Sequence, residues 1–336
     1  MFKNIIVVGS TGLVGIEFVK LLTGSITLYT PKFNIILISN NNVGQQCPNT
    51  QLIYQPMSSI DYSIPSIFIN CANAEQAIEI ANKIQKHSVL IDNSSEYRMN
   101  TNVPLIIPEI NFTDYDNNRS NIIANPNCST IILAILLNPF ILNNFPIKRI
   151  VISTYQAASG SGKIGLQELK VQANDYVNGI PITSEYWKQQ YIFNTFIHNS
   201  PIDTNKYCQE ENKLINETNK IFKTKIGISP TCVRVPVLRS HCSSVNIEFD
   251  KPISFEQLIN LLNSSSDTLE IINNADTHEF PTSISSNNSH LVQVGHIRPD
   301  HSLETNKGWN FWISGDQLLR GAAYNAFMIM NGILKN

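Results

Sequence analysis

The feature that most constrains this fold is a glycine-rich turn between an apolar run and a helical repeat close to the N-terminus. Residues 4–8 read NIIVV, residues 9–15 read GSTGLVG, and apolar residues then recur at helical spacing. Glycines let a backbone approach a ligand closely, and the start of the following helix offers unpaired N–H groups and a positive dipole end to a pyrophosphate. A tight turn with no ligand is the alternative, but the flanking strand and helix favour a dinucleotide site.

Apolar strands then alternate with helical segments through the first third of the chain. Residues 33–39, 66–71 and 88–92 are predicted to be buried strands, and residues 74–86 a helix between the last two of them. Continuous apolar strands that alternate with helices are typical of a parallel sheet covered on both faces. We therefore expect an α/β, doubly wound, Rossmann-type dinucleotide-binding domain over residues 1–127.

The pattern changes after Cys128. An apolar helix over residues 131–137, stopped near Pro139, is followed by strands separated by long polar stretches. The predicted strands are residues 149–154, 231–238, 243–249, 290–297 and 309–314. This pattern favours an α+β domain with a largely antiparallel sheet over residues 128–315, and a C-terminal helix within residues 316–336 that returns to complete the first domain.

Composition excludes several classes of protein. The chain has 336 residues, of which 42% are hydrophobic and 15% charged, with a formal net charge of −2. This balance argues against a disordered chain and against a binder of nucleic acid or of an anionic membrane. The longest apolar stretch, residues 131–142, is too short to span a bilayer, and the first residues do not fit a signal peptide. We expect a cytoplasmic protein.

The cysteines point to a reducing compartment and to one reactive thiol. None of the six forms a C-x-x-C pair, so neither a disulfide framework nor a zinc site is expected, and no metal is predicted. Cys128 follows Asn127 and opens the apolar helix, where the helix dipole favours a thiolate. Asn127 offers a donor to a developing oxyanion. The other five are interpreted as small buried hydrophobes: Cys47, Cys71, Cys208, Cys232 and Cys242.

Two further polar groups lie in the second half of the chain. Gln156 follows a strand and leads into a Gly/Ser-rich turn, where an amide can orient a reacting group. Arg234 interrupts an apolar strand and calls for a carboxylate or phosphate partner, and His241 offers a proton acceptor. His241 lies seven positions after Arg234, so the chain must turn, plausibly at Pro236, if both serve one site. A flexible loop, a structural ion pair and a surface histidine are the alternatives.

Cys128 and His241 alone would also fit a cysteine hydrolase. A hydrolase has no need of a dinucleotide-binding half, however, so the combination favours a nicotinamide-dependent oxidoreductase acting on an aldehyde or acyl phosphate. The second strand ends in Ser39-Asn40-Asn41-Asn42 without an acidic residue, which removes the usual repulsion of a 2′-phosphate and points to NADP(H).

Taken together, the motifs resemble the aspartate-β-semialdehyde dehydrogenase family over essentially the whole chain. They are, in order, GSTGLVG (9–15), DNSSEYRM (92–99), IPEIN (107–111), NPNCST (125–130), QAASGSG (156–162), FNTFIH (193–198), EENK (210–213), ETNK (217–220), TCVRVPVLRSH (231–241) and GDQLLRGAAYNA (315–326). The cysteine, glutamine and arginine–histidine motifs in this order are specific. The resemblance implies that residues 128–315 bind substrate and form the dimer.

The resemblance also implies roles for individual residues. Cys128 matches the nucleophile, Gln156 the residue that orients the thiol-bound intermediate, His241 the general acid/base, and Asn127 the asparagine beside the nucleophile. The expected substrate-binding residues are Arg234 for the α-carboxylate, Arg98 with Lys213 for the phosphate, Glu210 for the amine, and Gln156. The expected cofactor-binding residues are Gly9, Thr11, Gly12, Leu13, Val14, Gly15, Ser39, Asn41, Asn42, Ser159, Gly160 and Gln317.

The function that the resemblance implies is the NADPH-dependent reductive dephosphorylation of β-aspartyl phosphate to aspartate semialdehyde through a cysteine thioester. That reaction serves lysine, threonine, methionine and diaminopimelate biosynthesis, in a homodimer or homotetramer. The alternatives are an enzyme of the N-acetyl-glutamyl-phosphate reductase type and a non-catalytic relative that keeps the fold. Three positions depart from the family pattern: Asn41 replaces an arginine expected to grip the 2′-phosphate, Gln317 replaces an asparagine, and His296 replaces an arginine.

Overall fold

Six parallel strands form the central sheet of the first of two structural units. The computed structural model describes residues 2–24, 33–116 and 119–335; residues 1–127 with 322–336 make up the first unit, and residues 128–321 the second. The strands of the first unit are β1 (Asn4–Val8), β2 (Asn34–Ile38), β3 (Tyr54–Gln55), β4 (Ser66–Asn70), β5 (Val89–Asp92) and β6 (Ile122–Ala124). They lie in the order β3-β2-β1-β4-β5-β6, so the doubly wound parallel sheet is confirmed.

The central strands β1 and β4 are buried along their whole length, so the sheet is covered on both faces. The helices of the first unit are α1 (Leu13–Gly24), α2 (Ala74–Lys83), the short α3 (Pro108–Asn111) and α8 (Tyr324–Lys335). Ile5 and Val7 share one core cluster with Phe18 of α1 and Phe327 of α8. Ile6 and Val8 point the other way, into a cluster that includes Ile80 of α2. The alternation along β1 therefore sends its side chains into two separate helix layers.

A seven-stranded mixed sheet forms the second unit. Its strands are β7 (Ile147–Gln156), β8 (Phe196–Ile197), β9 (Gly227–Arg234), β10 (His241–Phe249), β11 (Leu269–Ile271), β12 (Val292–Pro299) and β13 (Gly308–Gly315), in the order β11-β12-β13-β10-β7-β9-β8. Its helices are α4 (Cys128–Leu142), α5 (Gly162–Val177), α6 (Gln209–Phe222) and α7 (Phe255–Asn263). The β11–β12 and β7–β9 pairs are parallel and the other neighbours antiparallel, which confirms the predicted α+β class.

Helix α4 continues through Pro139, so the prediction that it stops there is wrong. A proline inside a helix removes one backbone hydrogen bond and strains the preceding turn. Here packing stabilises the last turn. Phe140 is fully buried, and the centroid of its ring lies 5.2 Å from that of Phe249 and 6.0 Å from that of Phe311. Asn143 also donates a side-chain hydrogen bond of 2.8 Å to the Pro139 carbonyl.

The predicted strand over residues 231–238 is too long at its C-terminal end. Strand β9 ends at Arg234, and the Val237 N–H donates to the Val235 carbonyl at 2.7 Å, which closes a tight turn around Pro236. Helices α5, α6 and α7 occupy stretches that the sequence analysis treated as polar connections. In the C-terminal segment, residues Leu319–Ala323 form a π-helical turn directly before α8. No helix in the described ranges is both long and apolar enough to cross a membrane.

Candidate active site

The three polar residues predicted for the site in the second unit, Gln156, Arg234 and His241, lie at one end of the seven-stranded sheet. Strands β7 and β9 are parallel and end together at Gln156 and Arg234, which are register partners. Strand β10 runs the opposite way and begins at this same end with His241, whose register partner Gly315 is the last residue of β13. The turn at Pro236 that the sequence required is therefore present, and it returns the chain so that Arg234 and His241 share one site.

Cys128 is the first residue of α4, and its side chain is partly exposed. The N-terminal end of a helix favours a negative group through the helix dipole, which suits a thiolate. Gly321, in the π-helical turn, packs against this cysteine: a Cβ at Gly321 would lie 2.8 Å from the Cβ and 3.1 Å from the Cα of Cys128. Only a residue without a side chain fits that contact.

The other cysteines differ from Cys128 in their surroundings. Burial raises the pKa of Cys71 to about 12 and also raises the pKa values of Cys208, Cys232 and Cys242. A thiol whose pKa is raised by an apolar environment is a poor nucleophile at neutral pH. Cys47, Cys208, Cys232 and Cys242 are buried, as the sequence predicts, whereas Cys71 is half-buried.

Gln156 links α4 to α6. Its Nε2 donates to Ser129 Oγ at 3.0 Å, one residue beyond Cys128, and to Glu210 Oε1 at 3.3 Å. Glu210 is buried, and its Oε2 accepts a hydrogen bond of 3.0 Å from Lys213 Nζ. The structure thus brings Gln156, Glu210 and Lys213 together beside the first turn of α4.

The guanidinium of Arg234 is buried and held from two sides. Its Nη1 donates to the Ala157 carbonyl at 3.3 Å, and the group lies 5.4 Å from the centre of the Trp187 ring, a cation–π contact. Its Nε is buried without a hydrogen-bond partner, and no carboxylate in the described part of the chain pairs with the group. A Cβ at Gly160 would lie 3.2 Å from Nη1, so this glycine leaves the space in front of the guanidinium open.

His241 is almost completely buried, and its ring is fixed by the backbone. The Ala157 N–H donates to Nδ1 at 3.0 Å, while Nε2 has no partner among the described residues. Burial, and after it the nearby Arg234 charge, lowers the pKa of His241 to about 3. A Cβ at Gly160 would lie 3.1 Å from Nε2, so the same glycine leaves this nitrogen accessible.

Acid should destabilise the protein through its buried histidines. The pKa of His241 is lowered to about 3 and that of His198 to about 4, both chiefly by burial, from an ordinary value of 6.5. The unfolded chain therefore binds more protons below pH 6.5, so the stability from the neutral rings is complete above that pH and is lost as the pH falls toward 3 to 4.

Urea midpoints measured from pH 7 down to pH 4.5 check this expectation. The midpoint should fall with pH, and His241→Gln should make the fall shallower. His87→Gln removes an exposed histidine and is the matched control, which should leave the slope unchanged. A slope that is the same in all three proteins would contradict the assignment.

Ser159 and Gln317 are joined inside the second unit. Gln317 Nε2 donates to Ser159 Oγ, and its Oε1 accepts from the Ser240 N–H at 2.7 Å. Asp316 Oδ2 accepts from Arg239 Nε at 2.7 Å, and Asp316 Oδ1 accepts from the Leu318 N–H at 3.0 Å. The longer glutamine side chain is therefore used to tie the QAASG turn to the start of β10.

The glycine turn of the first unit borders a cleft at the ends of β1, β2 and β4. Its lining residues are Val8, Gly9, Thr11, Ile38, Ser39, Asn40, Asn41, Met57, Ala72, Asn73, Gln76 and Glu79. Gly9 has a φ of 74°, and a Cβ there would lie 2.8 Å from the Ala72 backbone nitrogen, so only glycine leaves this cradle open. A Cβ at Gly15 would overlap the Gly9 carbonyl oxygen. The cleft therefore fits the close backbone approach that a dinucleotide requires.

Some predicted cofactor residues lie outside this lining. Gly12 and Gly15 shape the turn and the start of α1, Leu13 and Val14 belong to that helix, and Asn42 donates to Gln45 instead. The sequence analysis missed Glu79. This residue belongs to α2, the helix after β4, and lines the same cleft as Asn41. An acidic residue on the polar face of an amphipathic helix carries no distinguishing sequence signal.

Arg98 and Asn127 belong to the first unit. Arg98 is buried, and its Nη2 donates to the Asn93 carbonyl at 2.8 Å. Asn127 is buried and directly precedes Cys128. Among the residues the structure describes, no group of three or more His, Cys, Asp or Glu side chains is placed to hold a metal ion.

Comparisons with known proteins agree on one family. Residues 4–118 match the model of the semialdehyde dehydrogenase NAD-binding domain, and residues 137–320 match that of the semialdehyde dehydrogenase dimerisation domain. The aspartate-semialdehyde dehydrogenase of Prochlorococcus marinus is 37% identical over 332 residues, covering 98% of this chain and 95% of that protein. The crystal structure of aspartate semialdehyde dehydrogenase II from Vibrio cholerae complexed with ASA superposes with a TM-score of 0.90 at 33% identity, covering 100% of this chain and 99% of that one.

Proposed function

This chain belongs to the aspartate-semialdehyde dehydrogenase family, and from that premise we propose that Cys128 is its catalytic nucleophile. The chain is an oxidoreductase that uses a nicotinamide cofactor and acts on an acyl-phosphate or aldehyde group. In the biosynthetic direction it converts β-aspartyl phosphate to aspartate semialdehyde. A cysteine thioester divides this reaction into two easier steps, because a carboxylate-derived acyl group is otherwise a poor hydride acceptor.

The observation that carries the assignment is the position of Cys128 at the N-terminus of α4, one residue before the Ser129 hydroxyl that Gln156 holds. Attack by the thiolate forms an S–C bond, and phosphate leaves with the electrons of the C–O bond, so that a thioester remains. Gln156, fixed between α4 and Glu210, would orient the thiol-bound acyl group. Asn127 would donate to the oxygen that becomes negative.

Each charged residue of the site would bind a different group of the substrate. Arg234 would pair with the α-carboxylate, since its buried guanidinium has donor capacity that no carboxylate of the described chain uses. Glu210 would face the substrate amine, while Arg98 and Lys213 would hold the phosphate as cations. His241 would present Nε2, the ring nitrogen that the backbone leaves accessible, to the reacting atoms.

NADP(H) is the cofactor in this proposal. The glycine turn, Thr11, Ser39 and Asn41 would hold it in the cleft, and Asn41 stands where a carboxylate would repel the 2′-phosphate. The bound cofactor supplies the hydride that reduces the thioester. Ser159 and Gly160 would line its nicotinamide end.

A phosphate-dependent assay tests the function directly. Purified protein with aspartate semialdehyde, phosphate and NADP should generate NADPH absorbance, and omitting phosphate should abolish the signal. Turnover that continues without phosphate would contradict the acyl-phosphate step. A folded protein inactive with both NADP and NAD would overturn the proposal.

Two substitutions should shift cofactor preference in the same direction. Asn41→Arg adds a guanidinium fork suited to a 2′-phosphate, and Glu79→Gln removes a negative charge that lines the same cleft. We expect Asn41→Arg to tighten NADP binding relative to NAD by about tenfold and Glu79→Gln by about threefold. The effect of Glu79 is smaller because its carboxylate is partly exposed and is already paired with Lys83 Nζ at 2.7 Å. Calorimetric titration with both nucleotides measures the ratio.

Glu75→Gln is the matched control for this pair. Glu75 lies one turn before Glu79 on α2, is exposed and does not line the cleft. Its substitution should leave the ratio of the two dissociation constants unchanged. A ratio that moves equally for Glu75→Gln and Glu79→Gln would reflect net charge alone and would remove the specific role of Glu79.

The comparisons do not favour the alternative functions. The relative from Prochlorococcus marinus and the superposed Vibrio cholerae protein both carry the aspartate-semialdehyde dehydrogenase name, rather than that of an N-acetyl-glutamyl-phosphate reductase. The dimerisation-domain match supports oligomerisation, and a homodimer or homotetramer is the assembly we propose. A cytoplasmic location completes the proposal, in keeping with the free thiols.

A further inference from the structure

Glu211 is a buried carboxylate that joins helix α6 to strand β9. It directly follows Glu210 in the first turn of α6. Its Oε2 accepts a hydrogen bond of 2.8 Å from the Cys208 N–H at the start of that helix, and its Oε1 accepts one of 3.1 Å from the Cys232 N–H in β9. A carboxylate at this helical position commonly caps its own helix. Here its second oxygen also holds a strand.

Strand β9 receives this hydrogen bond where its neighbour β8 ends. Strand β8 is two residues long and pairs with Val233 and Arg234. Just beyond it, the Cys232 carbonyl accepts from the His198 N–H at 2.8 Å, and the Cys232 N–H donates to Glu211. Cys232 is fully buried, so its N–H needs an acceptor within the protein. Glu211 thus supplies the acceptor that a longer β8 would have offered.

The two segments that Glu211 joins carry the two residues proposed to bind the charged groups on the α-carbon of the substrate. Arg234, the partner proposed for the carboxylate, lies two residues after Cys232, and Glu210, the partner proposed for the amine, directly precedes Glu211. Both substrate groups are bonded to one carbon atom, so their separation is fixed. A site that binds both must hold its cation and its carboxylate at a matching separation, to within about 0.5 Å. Gln156 holds the tip of the Glu210 side chain, whereas Glu211 holds the backbone from which that side chain projects.

We propose that Glu211 is a positioning residue that sets the separation between the amine-binding and carboxylate-binding groups of the site. Through that separation it sets the preference of the enzyme for an aldehyde that carries an α-amino group over the same aldehyde without one. The inference rests on the proposed roles of Glu210 and Arg234. Both oxygens of Glu211 are bonded to the backbone, so it acts through Glu210 and not by contact with substrate.

The preference is measured by comparing aspartate semialdehyde with succinic semialdehyde, which lacks the amino group. The quantity is the ratio of the two kcat/KM values at saturating phosphate and NADP. A variant that only folds less well loses both reactions equally and leaves this ratio unchanged. Glu211→Gln keeps the size of the side chain but has one acceptor oxygen, so one of the two N–H groups loses its partner. We expect the ratio to fall about tenfold, because Glu210 is displaced relative to Arg234.

Glu211→Asp separates the geometry from the charge. It keeps the negative charge but is one methylene too short to reach both N–H groups, so the ratio should fall as it does in Glu211→Gln. A ratio that Glu211→Asp leaves at its original value, while Glu211→Gln lowers it, would mean that the charge attracts the amine directly and would overturn the positioning role. A ratio unchanged in both variants would overturn it as well.

Glu210→Gln tests whether the effect passes through Glu210. This substitution alone should lower the ratio by about 10- to 100-fold, since it removes a charged partner of the amine. Adding Glu211→Gln should then lower the ratio little further, because an absent partner cannot also be misplaced. Losses that multiply in the double variant would show that Glu211 acts independently of Glu210.

Glu217→Gln is the matched control. Glu217 is also a buried carboxylate of α6, roughly 9 Å further along the helix, so its replacement should lower the thermal midpoint and leave the ratio unchanged. An equal fall of the ratio in Glu217→Gln would show a general effect of the helix and would remove the specific role of Glu211.

Calorimetric titration of both aldehydes in the Cys128→Ala background gives the same preference as a ratio of dissociation constants, without turnover. Glu211→Gln should lower that ratio by the same factor. A protein that does not turn over aspartate semialdehyde at all would contradict the proposed function. Turnover with an unchanged ratio in the Glu211 variants would contradict only the role of Glu211.

Discussion

Turnover should disappear when Cys128 is replaced by alanine, with kcat falling by at least about 10⁴-fold. The other cysteines offer no equivalent nucleophile, because burial raises the pKa values of Cys71, Cys208, Cys232 and Cys242, and the Cys47 side chain is buried. Alanine keeps the Cβ that packs against Gly321, so the fold and the start of α4 should be preserved. Circular dichroism and the thermal midpoint would verify this.

The matched control is Cys47→Ala, which removes a buried thiol of the first unit. It should cost about 1 kcal/mol of stability while leaving kcat near its original value. Mass spectrometry after brief incubation with aspartate semialdehyde and NADP in phosphate-free buffer, where nothing releases the acyl group from the thiol, should detect an acyl adduct on Cys128 and none in Cys128→Ala. An active Cys128→Ala protein would eliminate the thioester mechanism.

Replacement of Arg234 by alanine should raise the KM for aspartate semialdehyde by about 10² to 10³-fold, because a substrate carboxylate would enter a buried site without its cation. The guanidinium is held by the Ala157 carbonyl and the Trp187 ring, which fix its direction before substrate arrives. Arg234→Lys keeps the charge but loses the planar fork, and it should recover only part of the loss.

Arg239→Lys is the control for this experiment. Arg239 lies five residues further along the same segment and donates to Asp316, so its replacement should lower the thermal midpoint and leave the KM largely unchanged. Steady-state kinetics at saturating phosphate and NADP separate the two effects. A KM that is unaffected in Arg234→Ala would remove the carboxylate-binding role.

The fold was largely predictable because its signals are local. The β-branched run before Gly9 and the apolar strands after it can be recognised from their own residues alone. The class of each sheet then follows from the length and polarity of the segments between its strands. The extent of α4 is different, since the helix passes Pro139 only because Phe140 finds Phe249 and Phe311 in a distant part of the chain. Helix α6 is too polar to stand out by its apolar pattern, although it carries Glu210.

The types of residue in the candidate site were predictable from the sequence, but the hydrogen bonds and contacts between them were not. Three residues stand out in the sequence by their surroundings: a thiol at the start of a helix (Cys128), a charge in an apolar strand (Arg234) and a nearby imidazole (His241). The state of the His241 ring depends on its burial and on the N–H of Ala157, 84 residues away. Glu79 reaches the cleft only because α2 follows β4 beside the glycine turn. Contacts between remote segments have no local signature.

The return of α8 to the first unit imposes an order on biosynthesis of the protein. Residues 128–321 form one contiguous unit, whereas the core around Ile5 and Phe18 also needs Phe327 and Met330 from α8. On the ribosome, the segment made second can fold first, and the part of the parallel sheet that α8 covers stays exposed until α8 has emerged from the exit tunnel. The nascent chain should therefore acquire nucleotide affinity only once α8 is available to the first unit.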